Sequence, residues 1–202
     1  MQKVVIDEGL DLTTILKIVK YIPKETGATR SQFGTMKRAS TFPSDKLSRT
    51  DETNIQGCIS FLEEIKGKPC YLSIKDDGSS LTSLYISDIF TVCTRNHSIE
   101  EMDDNKFWQV AKKYDLKRIL ASFKNYAIQG ELVGPGIQKN KLELTEVDLH
   151  IFNIIDLSTR QRIPVAEALR FCEKYNLKHV DIVEMIPSFG YNLQDLIKLT
   201  FR

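Results

Sequence analysis

The chain has 202 residues, 42% of them hydrophobic and 27% charged, with 28 Lys and Arg against 27 Asp and Glu for a formal net charge of +1. That is an ordinary globular composition, long enough for one sizeable core or two small ones, and no apolar run reaches the ~18 residues of a membrane span. The N-terminus lacks the apolar centre of a secretory leader, so an intracellular protein, cytoplasmic or nuclear, is expected rather than a secreted one, with no membrane partner and with any nucleic-acid contact made by local basic clusters.

Taken in chain order, Leu12, Ile15, Leu16, Ile18 and Val19 recur at helical spacing and predict a helix over 12–21, ended by Pro23. A stretch rich in Thr, Ser, Gly and basic residues over 24–46 reads as a loop. It holds a first basic cluster, Lys37, Arg38 and Lys46, with Arg49 just beyond. A helix is expected over 55–65, then strands near 70–75, 81–88 and 89–95. Glu100, Glu101, Asp103 and Asp104 precede a predicted helix over 107–123 and read as a solvated helix N-terminus, where carboxylates face the positive end of the dipole. That helix carries Lys112, Lys113, Lys117, Arg118 and Lys124, read as a solvated face in preference to an RNA-binding patch. Strands over 126–133 and 147–157, a helix over 165–176, a strand near 179–186 and a helix over 192–201 complete the pattern. Strands and helices alternate irregularly, which favours an α+β fold over a parallel βαβ sheet. Cys58, Cys70, Cys93 and Cys172 lack metal-like spacing, sit in apolar strand or helix patterns and read as reduced packing thiols. His97, His150 and His179 show no paired carboxylate or second histidine at ligand spacing.

The tetrapeptide Lys75-Asp76-Asp77-Gly78 lies between two strand-like runs and has two readings. Asp-Gly between alternating strands is the commonest short hairpin signal. A hairpin does not require a lysine after apolar Ile74, followed at once by two carboxylates. A lysine amine freed of its proton by desolvation or by neighbouring cations attacks phosphorus to give a lysine-nucleotide phosphoramidate.

Lys75-Asp76-Asp77-Gly78 with Ser79-Ser80 resembles motif I, KxDG, of the covalent nucleotidyltransferases: DNA ligases, RNA ligases and mRNA capping enzymes. Val92-Cys93-Thr94-Arg95-Asn96 resembles the short arginine motif that follows. Tyr126 to Gln138, with its GELxGPGxQ pattern, resembles motif III in its RNA-ligase form, and Phe152-Asn153-Ile154-Ile155-Asp156-Leu157 falls where motif IIIa is expected. Thr41 to Ser44 and Arg49 to Gln56 resemble the segment leading into the ligase domain of nick-sealing, ATP-dependent RNA ligases of the Deinococcus type. No EGxV-like strand (motif IV) or motif V lysine pair follows Asp156. The chain is therefore expected to be a partial adenylation domain over 41–202, preceded by a remnant of an upstream module or linker over 1–40.

The resemblance implies the ligase/nucleotidyltransferase fold, ATP-grasp-like, with antiparallel sheets flanked by helices, incomplete at the C-terminus. It also implies roles for particular residues. Lys75 accepts the adenylate. Asp77 and Gly78 shape its turn, and Ser80 contacts the nucleotide from a place where some relatives carry asparagine. Arg95 holds a phosphate or the ribose, and Asn96 orients the same loop. Glu131 accepts from ribose hydroxyls, Phe152 stacks on adenine, and Ile74 offers its backbone to the adenine edge. The cofactors implied are ATP with Mg2+ or Mn2+; the metal-holding residues are unknown. The partner is RNA, as a nicked duplex or as ends with 3′-hydroxyl and 5′-phosphate groups, in RNA repair. Without motifs IV and V the chain is expected to adenylylate slowly or not at all. A capping-type guanylyltransferase and a non-catalytic nucleotide- or RNA-binding fragment remain the alternatives.

Overall fold

The computed structural model describes residues 29–199 together with Thr13, Leu16 and Lys17. Apart from those three residues, the helix expected over 12–21 lies outside the described residues.

Three short strands, β1 (Thr29–Ser31), β2 (Gly34–Met36) and β3 (Arg38–Thr41), replace the loop expected over 24–46. Their composition is polar, and contacts far along the chain hold them in place. The Asp104 carboxylate accepts from the Thr35 N–H at 3.0 Å and the Thr35 hydroxyl at 2.7 Å. Phe33 packs on Phe107 with ring centroids 5.2 Å apart. Gly34 sits at φ +86°, where a Cβ would lie 2.0 Å from the Asp104 carbonyl oxygen, so no other residue fits. The 3₁₀ turn Ile55–Gly57 and α1 (Ser60–Ile65) follow where one helix was expected.

Next come β4 (Cys70–Ser73), β5 (Ser79–Ile86), β6 (Ile89–Cys93) and β7 (His97–Ile99). The helix expected over 107–123 is two, α2 (Lys106–Lys113) and α3 (Leu116–Ala121), broken where Asp115 turns left-handed at φ 49°. Asn105 caps α2 by accepting from the N–H groups of Phe107 and Trp108 at 3.0 and 3.3 Å. The basic face of this pair is largely ion-paired: Lys112 with Glu101 and Asp103, Lys113 with Glu146, Arg118 with Asp115, and Lys124 with Asp88. The chain continues through β8 (Tyr126–Val133), β9 (Asp148–Asp156), β10 (Gln161–Arg162), α4 (Val165–Lys174), β11 (Lys178–His179), β12 (Ile182–Ile186) and α5 (Leu193–Leu199).

The eight-stranded main sheet runs β10-β9-β8-β5-β6-β7-β3, with β11 added parallel to β9 and every other pairing antiparallel. β3, which crosses the boundary expected at residue 40, is an edge strand of this sheet, paired with β7. One face of the sheet carries Leu81, Val92, Ile128, Leu132, Ile151 and Ile154 against the helices α2, α3 and α4. On the opposite face Leu84, Cys93, Ala127 and Ile155 are covered by Phe42 and Leu47 at one end only. The other end of that face is polar, and the small β4–β12 sheet stands over it with its own cluster of Leu62, Ile186 and Phe189. The fold is α+β, with antiparallel sheets and helices packed on one side, as expected.

Asp148 ties α2 to β9 and β11. Its side chain is only 6% exposed and accepts from the Tyr114 hydroxyl, the Lys178 ammonium and the Leu149 N–H. Burial pushes its carboxyl up, but those donors and the Lys113 charge outweigh burial and hold it below the usual range. A carboxyl lowered by folding contributes stability above its unfolded value near 3.9, and that stability is lost as pH falls through the folded value. Asp148→Asn is expected to lower stability at neutral pH by about 1–2 kcal/mol. Urea melts at a series of pH values check this, the gap closing as pH falls below about 4.

Candidate active site

The site lies where the β4–β12 sheet faces the polar end of the main sheet, on the segment Ile74–Gly78 between β4 and β5. This segment is not a hairpin turn. β4 pairs with β12, while β5 pairs with β6 and β8, so the two flanking strands belong to different sheets.

The segment is pinned along its length. Ile74 N–H donates to the Asp181 carbonyl at 2.9 Å. The Asp76 carboxylate lies 2.7 Å from His150 Nδ1, and Asp77 pairs with Lys141 at 2.9 Å. The Lys141 hydrogen bond and charge hold the Asp77 carboxyl below its ordinary range. Gly78 N–H donates to Glu131 Oε1 at 3.0 Å, and its carbonyl accepts from Gln138 Nε2 at 3.2 Å. Among the described residues the Lys75 amine has no hydrogen-bond or ion-pair partner.

Two adjoining cavities flank Lys75. The larger, about 690 Å³, is walled by Leu72, Ile74, Phe152 and Val180 among others, and the smaller, about 430 Å³, by Ser79, Ser80, Thr94, Arg95, Asn96 and Gln138 among others. Thr50, Lys75 and Glu131 line both. The first suits a flat heterocycle and the second a polar or anionic group, a division common to ligand sites in which apolar walls are set with a few fixed polar groups.

The expected residues thus converge. Lys75 and Glu131 stand at the junction, Ile74 and Phe152 line the larger cavity, and Gly78, Ser80, Arg95 and Asn96 line the smaller. Asp77 lines neither and faces Lys141 instead.

A bulge aims Phe152. In the β8–β9 register Gln129 pairs with Asn153 and Gly130 with Ile151, leaving Phe152 without a partner. The alternation of faces slips by one there. Ile151 and Ile154 stay in the helix-side core while consecutive Phe152 and Asn153 both line the larger cavity. Gly130 faces the bulge because a Cβ would come within 2.8 Å of the His150 carbonyl oxygen.

Glu131 is half-buried, and burial raises its carboxyl to about 7, against the lowering pull of Lys75 and the Gly78 N–H. A carboxyl raised by folding contributes stability that is full below its unfolded value and is lost as pH rises through about 7. Glu131→Gln, which keeps an acceptor for Gly78 N–H, is therefore expected to match the wild type at pH ~4 and to exceed it by on the order of 2 kcal/mol at pH ~8. Thermal melts at both pH values test this, and equal offsets at the two would refute it.

Several partners were not singled out from the sequence. Thr50 donates to the Ser80 hydroxyl at 2.7 Å, Asp51 pairs with Arg95 at 2.6 Å, and Glu52 pairs with Arg162. These acids and Thr50 fall within the Arg49 to Gln56 segment, whose likeness to relatives was the available signal. Both Arg95 and Asp51 are exposed, so their ion pair is weak and a phosphate can displace it. His150 was set aside for want of a carboxylate partner, and Asp76 supplies one from 74 positions away. Among the described residues no group of three or more His, Cys, Asp or Glu side chains could hold a metal ion.

Residues 68–199 match the family model for RNA ligase. No curated protein matches the chain. Among solved structures, an alanine mutant of Naegleria gruberi RNA ligase with ATP and Mn is 28% identical with a TM-score of 0.77, the match covering 94% of this chain and 56% of that one. Another alanine mutant of that ligase, with AMP and Mn, is also 28% identical at a TM-score of 0.77 and matches over 95% of this chain and 56% of its own. The same ligase with PPi is 28% identical at a TM-score of 0.75, over 94% of this chain and 56% of its own. The chain spans 56% of the length of these solved relatives.

Proposed function

This chain belongs to the RNA ligase family, and from that we propose that it carries the adenylation core of an ATP-dependent RNA ligase, with Lys75 as the nucleophile. The observation that carries this reading is the segment Ile74–Gly78, in which every residue but Lys75 is tied down and the amine, without a partner among the described residues, stands at the junction of an apolar and a polar cavity.

In the proposed reaction the neutral Lys75 amine attacks the α-phosphorus of ATP. A phosphoramidate N–P bond forms, the bond from the α-phosphorus to its bridging oxygen breaks, pyrophosphate leaves with that electron pair, and the attacking nitrogen gives up a proton to solvent. The AMP then passes to an RNA 5′-phosphate, and a 3′-hydroxyl attacks that activated end with release of AMP. Phe152 and the wall around Ile74 receive the adenine, with the Ile74 backbone at its edge. Glu131 accepts from ribose hydroxyls. Ser80, Arg95 and Asn96 face the phosphates, where the planar fork of arginine donates two parallel bonds. Asp77 and Gly78 hold the turn. Fixed donors of this kind both align the reacting atoms and stabilise charge developing on phosphorus. Magnesium or manganese accompanies the nucleotide, as Mn does in the solved relatives. The RNA substrate is a nick or a pair of ends, and the setting is RNA repair.

Incubation with α-labelled ATP and magnesium or manganese, followed by denaturing separation, tests the reading, with α-labelled GTP in parallel. Covalent label from ATP supports an adenylating ligase core, label from GTP a capping-type guanylyltransferase. ATP binding without label points to a nucleotide-binding fragment.

A further inference from the structure

Asp76, the residue between the lysine and the KxDG aspartate, is buried, its side chain 5% exposed, and its carboxylate lies 2.7 Å from His150 Nδ1. A carboxylate taken out of water beside a nucleophile is costly unless it is paired. The imidazole N–H supplies the pairing, and it does so from the sheet rather than from the turn. Glu131 and His150 are direct partners in the β8–β9 register, and Ser80 and Glu131 are direct partners across β5 and β8. Directly opposed residues project to the same face. Ser80, Glu131 and His150 therefore form one row across three strands beneath the turn. Glu131 at its centre takes the Gly78 N–H and His150 at its end takes Asp76, so the row grips the turn at two points on either side of Asp77. Lys178, opposite His150 on β11, sends its ammonium to Asp148 and leaves the imidazole to Asp76.

We propose that Asp76 and His150 form a positioning pair for Lys75. Drawing the Asp76 carboxylate down onto β9 fixes the backbone of the residue bonded to Lys75, and so fixes where the amine is presented. The pair touches no substrate and acts through the lysine. This rests on the reading of Lys75 as nucleophile, and the experiment separates the two.

The variants are His150→Phe, which keeps a ring and loses the donor, and His150→Gln, which loses the ring and keeps a donor. Two rates are read for each. The first is acylation of individual lysines by acetic anhydride, resolved by peptide mass spectrometry, which needs no nucleotide. The second is single-turnover label transfer from α-labelled ATP, titrated in ATP. Expected for His150→Phe is a Lys75 acylation rate changed severalfold while other lysines keep theirs. Its label transfer is expected to fall by about ten- to a hundredfold at saturating ATP, with the half-saturating ATP concentration little changed, as for a misplaced reacting group. His150→Gln is expected to recover a large part of both. Should His150→Phe fail to melt cooperatively, Asp76→Ala removes the same bond from the turn side and is read in its place.

A Lys75 acylation rate unchanged in the variant, or moved together with that of every other lysine, overturns the pair whatever the label does. A change specific to Lys75 in a wild-type protein that takes no label upholds the pair and counts against the adenylation reading instead.

Discussion

Lys75→Ala is expected to abolish covalent nucleotide transfer while leaving ATP affinity within a few-fold of the wild type. The phosphoramidate needs an amine lone pair, and Lys75 is the amine held at the junction of the two cavities. Among the described residues Lys75 is the one lysine that lines either cavity; Lys141 is paired with Asp77, Lys106 with the Pro135 carbonyl and Lys178 with Asp148, while Lys139 acts on Asp77 only through its charge. No other lysine among the described residues lines the cavities, so label is expected to fall to the limit of detection, whatever rate the wild type shows. Affinity is retained because the apolar wall and the Arg95 end of the smaller cavity do not depend on this side chain. Equilibrium ATP binding and denaturing gels of labelled protein, run side by side, give the two numbers. Label that persists in Lys75→Ala would place the nucleophile elsewhere, and label and affinity lost together would make Lys75 a binding group.

Much of the lining of the candidate site was legible because those residues fall within four short motifs. Lys75 and Gly78 sit on the β4–β5 connection with Ser80 just inside β5, Arg95 and Asn96 on the β6–β7 turn, and Glu131 and Phe152 on the adjacent strands β8 and β9. The features that escaped were long-range or phase-dependent. The Lys75 segment looked like a hairpin because Asp-Gly is a strong local signal, and only the pairing of β4 with β12, more than a hundred residues away, removes β4 from the main sheet. The polar stretch over 29–41 forms strands because Asp104 and Phe107 anchor it, contacts that composition does not reveal. Phe152 and Asn153 share a face through a bulge that breaks the two-residue period on which strand reading depends. His150 offered no local clue, since its carboxylate partner lies on another element.

Gly78→Ala tests the same turn from the backbone side. The requirement here is space, not a left-handed conformation: Gly34, Gly67, Gly134 and Gly136 have positive φ, and Gly78 is not among them. A Cβ on Gly78 would lie 2.2 Å from the Leu132 carbonyl oxygen, 2.9 Å from Glu131 Cγ and 3.0 Å from Val133 Cγ1. The nearest of these is backbone of β8, fixed to β5 by the Ser79–Leu132 and Ser80–Glu131 pairings, so neither side can give way cheaply. Relief requires the turn to lift off β8. That lengthens or breaks the 3.0 Å bond from Gly78 N–H to Glu131, leaving a raised, half-buried carboxyl without its donor and moving Lys75 away from the cavities. Expected are a stability loss of about 3 kcal/mol in urea melts and, at temperatures where the variant is folded, a label-transfer rate lowered by about a hundredfold. Gly190 is the control: nothing lies within 4 Å of its added Cβ, and Gly190→Ala should leave both readings unchanged. A Gly78→Ala protein with wild-type melting and wild-type label would mean that β8 yields to the methyl group. The rigid placement of Lys75, on which the adenylation reading and the role of the Asp76–His150 pair both depend, would then be lost as a premise.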